Sequence, residues 1–258
     1  MEDHSRTTGR PLVLLQQSKP DDSVRPADSV QQPDYTVTST TDGGGLVLTS
    51  IEVAAVFWGT YWSNTSPAPS PDSDTYYQAF VGLVTGPYMT GLRQYRGVGP
   101  GIMLGKFIND IGPDPINGYS DSDVTNMLVY FIQTNSSIPP PIAGHTRFYA
   151  VVTPPGINNG NSGDVGEHRT FTYNGITAYY AWVDSIGTLQ DSASLGVVNI
   201  FSHELVETAT DPDDTSGIHV QGKNPDGSAV VNDEIADTCN NEFAIVQMNG
   251  IKCNVQCY

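Results

Sequence analysis

The sequence predicts a mixed α/β fold of the α+β type, a single domain with a mixed sheet, hairpins and a central helix that carries the candidate active site. Three observations predict it. Strand patterns and helix patterns interleave along the chain, two Asn-Gly pairs each separate strand-like runs, and one amphipathic helix lies between these hairpins. A hydrophobic fraction of 38% over 258 residues is sufficient for a real core.

The N-terminal segment differs in composition from the rest of the chain. Residues 1 to about 43 are polar, rich in Pro, Asp and Ser, and lead into the stretch "TSTTDGGG" (38–45) without a sustained hydrophobic period. Such composition is typical of a tail or linker. We therefore expect one folded domain over residues 44–258.

The first half of this domain predicts a strand region followed by helices. A near-continuous apolar run over 45–59 is typical of a buried strand pair or one long bent strand. Over 74–95 apolar residues recur three and four apart, which predicts a helix with Asp74 as candidate cap, a turn at Gly86-Pro87 and a second helix. Residues 120–135 predict another capped helix.

The second half predicts strands and the helix of interest. Residues 147–155 form a strand pattern, and 169–184 form two aromatic strands around Asn174-Gly175. Asn-Gly between two strand patterns is the strongest short-range hairpin signal, and it returns at Asn249-Gly250. From about residue 192 to 210, apolar residues recur at helical spacing and predict a helix with one buried face.

This helix contains the stretch "FSHELVETATDP", which resembles the zinc-protease signature H-E-x-x-H with Glu207 in the last position. His203 and Glu207 are four residues apart and share a face, and Glu204 lies one residue further round. Zinc accepts imidazole nitrogen and carboxylate oxygen, and a non-ligating glutamate can deprotonate a water on the metal. The pattern therefore predicts His203 and Glu207 as ligands and Glu204 as general base, against the alternative of an ordinary solvated helix face.

Further ligands are expected from the stretch "NDEIADTC" and from other histidines. Glu234 and Asp237 are three residues apart and would share a face on a helical turn. They could supply a third ligand from a later helix and a carboxylate that orients a ligand. His168 precedes a predicted hairpin strand and is a stronger candidate for the remaining ligand position than His145 or His219.

Asp211 has two interpretations. It lies one helical turn beyond Glu207, so it could ligate a metal or cap the turn. The loop "DPDDTSG" that it opens could bind calcium, but its spacing is not that of an EF-hand loop, and a plain acidic turn is an equal alternative.

The cysteines are concentrated near the C-terminal end of the chain. A disulfide from Cys239 to either Cys253 or Cys257 would pin the predicted ligand segment to the last hairpin and leave one cysteine over.

The charge balance excludes some partners. A net charge of −17 with only 11 Lys and Arg residues argues against nucleic acid and anionic membranes, which require clustered cations. No run of about 18 apolar residues occurs, so no membrane span is expected.

Four stretches in order resemble one family: "GGGLVLTSIEVAAVFWGTYW", "GPYMTGLRQYRGVGPG", "SHELVETATDP" and "NDEIADTC". Over residues 44–258 the chain is similar to the phosphate-induced protein family, which includes the plant EXORDIUM proteins and many microbial relatives that look like metallopeptidases. The resemblance implies an extracellular location and, for plant members, association with the cell wall. The first 20 residues lack the apolar region of a signal peptide, so this location rests on the resemblance alone.

The resemblance also marks positions: His203, Glu204, Glu207, Glu234, Asp237 and Cys239. Asp211 stands where plant members often have Asn. Bacterial members have a histidine in a Cys-x-x-His setting before the central hairpin, where this chain has His168 without the cysteine.

Together these observations predict an exported zinc-dependent hydrolase, most simply a peptidase acting on peptides or proteins. The candidate ligands are His203, Glu207, Glu234 and His168, with calcium or manganese as alternatives to zinc. Three ligands and an open position in a cleft would favour catalysis. If all four bind, no position is left for water, which favours the alternative of a non-enzymatic secreted cell-wall or signalling protein with a structural metal.

Overall fold

A five-stranded mixed sheet lies at the centre of the fold and both of its faces are covered. The computed structural model describes residues 36–160, 164–185, 196–224, 226–239 and 243–256. All of them belong to one compact unit, Gln32–Tyr258. The prediction of a single α+β domain with a mixed sheet is confirmed.

The described helices and strands follow one another in an interleaved order. They are β1 (Thr36–Asp42), β2 (Ser50–Trp58), α1 (Ser73–Thr85), α2 (Pro87–Thr90), β3 (Gly99–Asn109), α3 (Asp121–Thr134), β4 (Arg147–Val152), β5 (Gly166–Tyr173), β6 (Ile176–Val183), α4 (Val197–Thr210), β7 (Ile218–Lys223), β8 (Ala229–Glu234), β9 (Phe243–Met248) and β10 (Ile251–Gln256). Short 3-10 turns occupy Thr60–Ser63, Gly91–Gln94 and Ala236–Cys239.

The central sheet has the strand order β3-β2-β4-β6-β5. Strand β2 is parallel to β3 and β4, β4 is parallel to β6, and β5 is antiparallel to β6. Residues alternate along β2 between the two faces: Val53 and Phe57 belong to one core cluster, and Ala54 and Val56 to the other. The first cluster includes residues of α1 and α4, and the second includes α3, so helices cover both faces.

Several local predictions are confirmed. The run over 45–59 contains one strand, β2, rather than a pair. Helix α3 begins after Ser120, whose side chain accepts a hydrogen bond from the Asp123 amide in a capping box. Both Asn-Gly hairpins are present, with Asn174 and Asn249 at positive φ.

Other predictions need correction. Strand β1 lies within the segment predicted as a tail, so the folded part begins before residue 44. It is an exposed strand of β-branched Thr and Val paired with β7, and such a strand has no hydrophobic alternation to reveal it. Helix α1 is capped by Asp72, whose carboxylate accepts a hydrogen bond from the Thr75 amide at 2.8 Å, whereas Asp74 lies in the first turn.

Strands outside the central sheet complete the fold around α4. Strands β1, β7 and β8 form a second sheet, and β9 and β10 form a two-stranded one. Helix α4 contacts β5, β6 and β10. Of the predicted helix, residues 192–195 lie outside the described residues. Among the described helices, none combines the length and the apolar character needed to cross a membrane.

Candidate metal centre

Helix α4 is buried almost all round, which places its polar residues inside the protein. Of its residues, all of which the structure describes, only His203 is partly exposed. Ser202 points to a different side, where its hydroxyl accepts a hydrogen bond from the Gln256 amide at 2.8 Å and joins α4 to β10. The carboxylates of Glu204 and Glu207 are therefore held in protein rather than in water.

Strand β5 brings His168 to this helix. The strand alternation puts Gly166 and His168 on the same face, towards α4. A Cβ atom at Gly166 would lie 2.5 Å from Ile200 Cγ2 and 2.6 Å from Glu204 Oε1. Glycine thus permits the close approach of strand and helix that places the Glu204 carboxylate.

The first group of candidate ligands joins β5 to α4. His168 Nδ1 lies 3.7 Å from Glu204 Oε2 and 3.5 Å from Glu207 Oε2. All three residues are buried, and their ligand atoms lie within 4.8 Å of one another. Imidazole nitrogen with two carboxylate oxygens is a donor set that zinc accepts.

A second group joins α4 to the turn after β8. His203 Nε2 lies 2.9 Å from Glu207 Oε1 and 3.7 Å from Asp237 Oδ1. These three residues also offer ligand atoms within 4.8 Å of one another. Glu207 belongs to both groups, and each of its oxygens faces a different histidine.

Glu234 and Asp237 reach the site from different local structures. Glu234 ends strand β8 and Asp237 lies in the 3-10 turn Ala236–Cys239, so the prediction that the pair shares a helical turn is wrong. Glu234 Oε1 lies 3.6 Å from His168 Nε2. Glu234 lines the same cavity without belonging to either three-residue group.

Asp211 has the contacts that its capping interpretation predicts, and it belongs to neither three-residue group, although its Oδ2 is buried without a hydrogen bond. Its Oδ1 accepts a hydrogen bond from the Gly217 amide at 2.8 Å, which closes the loop after α4. Its backbone oxygen lies 3.1 Å from His168 Nε2. A carbonyl can only accept, so Nε2 donates in this contact, and the neutral form of His168 would then offer its Nδ1 lone pair to a metal. Asp211 therefore orients His168.

Several carboxylate oxygens in the centre are buried without a hydrogen bond. Those next to the two histidines are Glu204 Oε2, Glu207 Oε1 and Glu234 Oε1, and Glu167 Oε2 is a further one in the cavity lining. Glu207 Oε1 is close to His203 Nε2, but the contact lacks hydrogen-bond geometry. Buried carboxylate oxygens without donors are unfavourable unless a cation or a proton satisfies them. The donor set and these orphaned atoms together fit a divalent metal ion.

In the absence of a metal, protons take its place on the histidines. Burial opposes the charged form of His168, yet the carboxylates of Glu204 and Glu207 raise its pKa well above the usual value. Burial also opposes the charged form of His203, but the nearby carboxylates, above all that of Glu207, raise its pKa to about 10. Burial opposes ionisation of Glu207, but both histidines lower its pKa to about 2.

The remaining carboxyl groups shift in the opposite direction. Burial raises the pKa of Glu204, and with repulsion from Glu207 it raises the pKa of Glu234 to about 9. Burial and Glu207 likewise raise the pKa of Asp237 to about 7. The metal-free centre thus keeps extra protons at neutral pH, which a divalent cation would displace.

The centre opens into a cavity of about 330 Å³. Its lining residues are Asp164, Gly166, Glu167, His168, Arg169, His203, Glu204, Glu207, Asp214, Glu234 and Asp237. Arg169 forms ion pairs with Glu167 and, at 2.5 Å, with Asp214. The sequence analysis does not identify Gly166, Arg169 or Asp214 as residues of the site. Gly166 and Arg169 are close to His168 in the sequence, and Asp214 belongs to the acidic loop after α4, so these positions could have indicated them.

Other predicted residues lie elsewhere. His145 Nδ1 pairs with Glu52 Oε1 at 2.8 Å, away from the cavity. His219 lies on β7 with Nε2 3.4 Å from Asp211 Oδ2, and it is not among the residues that line the cavity. Cys253 is buried and has a free thiol. Cys257 and the side chain of Cys239 lie outside the described residues, so their pairing stays a prediction.

Comparisons with protein-family models, curated proteins and solved structures found no match to this chain. The resemblance to the phosphate-induced protein family therefore remains an expectation from the four sequence stretches.

Proposed function

We propose that this protein is an exported metal-dependent hydrolase that acts on peptides, with zinc as the preferred ion. One observation carries the proposal. Glu204 and Glu207 are each only 3% exposed, and each directs an oxygen without a hydrogen-bond partner towards histidines beside an open cavity. A buried, negatively charged group of this kind is stabilised by a divalent cation, and its position beside a cavity allows contact with a substrate.

The residues that would hold the ion are His168, Glu204 and Glu207, since the Asp211 carbonyl orients His168 with Nδ1 towards the two glutamates. A divalent ion bound there supplies Lewis acidity to a substrate carbonyl and lowers the pKa of a water. In this arrangement Glu204 is a ligand, in contrast to the general-base role that the sequence predicts for it.

Glu234 then becomes the candidate proton acceptor. Its side chain is 18% exposed, compared with 4% for Glu204, and its Oε1 has no hydrogen-bond partner. A bound cation would favour the ionised form of Glu234, which could then take a proton from an attacking water at the cavity and return it to the leaving amine.

The substrate class is supported by the strand that borders the cavity. Strand β5 is at the end of the central sheet and pairs only with β6 among the described residues. An extended peptide can pair with such an edge through its main chain. Most of the lining residues are acidic, which favours cationic peptide segments.

A second candidate function follows from one feature of the cavity. Apart from Gly166, its described lining consists of polar and charged side chains, with no apolar pocket for a substrate side chain. This favours a secreted cell-wall or signalling protein in which the metal has a structural role. Turnover separates the two candidates.

The test combines metal content with hydrolysis. Wild-type protein purified without chelators should contain zinc, and Glu207→Gln should lose it. Asp214→Asn is the matched control, because Asp214 lines the same cavity but is paired with Arg169. With cationic peptides as substrates, Glu234→Gln should keep its metal while kcat falls by about 10²–10⁴.

The outcomes discriminate clearly. If Glu204→Gln keeps the metal and loses turnover, Glu204 is the general base and Glu234 is not. If the wild type binds zinc and cleaves no peptide, the structural role is correct. If wild type binds no divalent ion even after incubation, both candidates are wrong.

A further inference from the structure

We infer, on the basis of the proposed function, that the centre binds two divalent cations and that the carboxylate of Glu207 bridges them. The second ion would lie at His203 and Asp237, beside the first at His168 and Glu204. A bridge of this kind is not part of the H-E-x-x-H pattern, which supplies one ion.

The geometry of Glu207 is the first reason. Its Oε2 lies 3.5 Å from His168 Nδ1 and its Oε1 lies 2.9 Å from His203 Nε2. The two histidines therefore approach different oxygens of one carboxylate. A carboxylate that offers one oxygen to each of two ions spans the separation of about 3.5–4 Å found in two-metal hydrolases.

The separation of the two ligand groups is the second reason. His168 groups with Glu204 and Glu207, whereas His203 groups with Glu207 and Asp237. No group of mutually close ligand atoms among the described residues contains both histidines. One ion therefore satisfies one histidine and leaves the other among carboxylates.

The third reason is the distribution of unsatisfied atoms. Glu204 Oε2 faces the first group, and Glu207 Oε1 faces the second; both are buried and lack hydrogen bonds. An ion at the first position satisfies Glu204 but leaves Glu207 Oε1 with only its contact to His203 Nε2, which lacks hydrogen-bond geometry. An ion at each position satisfies both.

The charges are consistent with this count. The four carboxylates in contact with the two histidines, Glu204, Glu207, Glu234 and Asp237, carry four negative charges when ionised, and the histidines are neutral as ligands. Two divalent cations balance these four charges, whereas one leaves an excess of two. The other acidic residues of the cavity are the exposed Asp164 and the Arg169 partners Glu167 and Asp214.

The test measures how many ions bind and how far apart they are. Wild-type protein is stripped, saturated with zinc, desalted and examined by elemental analysis and X-ray absorption spectroscopy. We expect two equivalents and a zinc–zinc distance of about 3.5–4 Å. Asp237→Asn and Glu204→Gln should each fall from two equivalents to one and lose the zinc–zinc signal. Asp214→Asn should keep both.

The results separate this inference from the function on which it depends. One equivalent in the wild type, lost in Glu204→Gln, overturns the second site and leaves the hydrolase proposal intact. Two equivalents that persist in Asp237→Asn also overturn it, because the second ion is then bound elsewhere. No bound zinc contradicts both proposals. The spectroscopic distance in wild type does not depend on whether any variant folds.

Discussion

Two buried carboxylate regions of this protein are built in opposite ways. Asp184, at the end of β6, is 1% exposed and accepts hydrogen bonds from the Tyr119 hydroxyl at 2.7 Å, the Thr153 hydroxyl at 3.3 Å and the Asn159 amide at 3.2 Å. Glu204 and Glu207 are as deeply buried, yet each has an oxygen without a donor.

The difference lies in what surrounds each carboxylate. At Asp184 the protein supplies its own donors, and the carboxylate joins elements of the fold. At Glu204 and Glu207 the neighbours are other carboxylates and histidines, and the proposed function requires a cation to satisfy the oxygens that lack donors.

The largest expected effect is on the centre itself. Zinc at about 1,000 times its dissociation constant should stabilise the wild type by about 4 kcal/mol, because the ion binds the folded state alone. A chelator should reverse the shift in Tm. Glu207→Gln should show no zinc-dependent shift, and Asp214→Asn should show the full one. An equal shift in Glu207→Gln would mean that zinc binds elsewhere.

The second largest change in stability should follow the loss of a hydrogen-bond donor to Asp184. Tyr119→Phe keeps the buried ring but removes the hydroxyl that donates to a charged acceptor, and we expect a loss of about 2 kcal/mol in urea denaturation. The matched control is Tyr149→Phe, whose hydroxyl donates to the neutral Pro139 carbonyl at 2.6 Å. It should lose about 1 kcal/mol. Equal losses would show that the charge of Asp184 contributes nothing.

Neutralising a carboxylate in the centre should have a smaller effect. In metal-free protein, Glu204→Gln should change the free energy of unfolding by no more than about 1 kcal/mol, because no hydrogen bond to Glu204 Oε2 is lost. A stability loss as large as that of Tyr119→Phe would mean that the two regions are built alike.

The smallest expected effect is a change in pH dependence. Burial raises the pKa of Asp184, although its donors oppose the shift. The folded state therefore binds this proton more tightly than the unfolded chain. The stabilisation is fully present below the unfolded pKa of about 3.9 and is lost as pH rises through the folded pKa.

The measurement compares metal-free wild type with Asp184→Asn over this pH range. The stability of the wild type relative to the variant should decrease as pH rises, since the other groups cancel in the difference. A relative stability that increases with pH would show that the donors, and not burial, control Asp184.

Much of the local structure could be predicted because its causes are local. Ser120 with Asp123 forms a capping box within one helical turn, and Asn174 and Asn249 adopt the positive φ that their turns need. The hydrophobic spacing predicts helix α4 with one buried face, whereas the structure buries the helix almost all round because β5, β6 and β10 pack against it. Strand β1 escaped prediction because its partner, β7, begins at residue 218, far away in the chain.

The candidate site was predicted only as a set of residues. The His203, Glu204 and Glu207 pattern lies on one helix, so its spacing determined that these side chains are neighbours. Which of them is a ligand was not determined. Glu204 was predicted as a base, and its nearness to His168 depends on the approach of β5 at Gly166.

By itself, the sequence determined the helix that carries the candidate site, the two hairpins, the acidic character and the identity of the potential ligands, because capping, turn geometry and hydrophobic period act over a few residues. Only the tertiary structure decided how those potential ligands are distributed between the two groups. His168 on β5 approaches one oxygen of Glu207, His203 approaches the other with Asp237 from beyond β8 beside it, and Asp211 orients His168 through its carbonyl. These contacts join residues separated by tens of positions, and they form only when sheet and helix pack together.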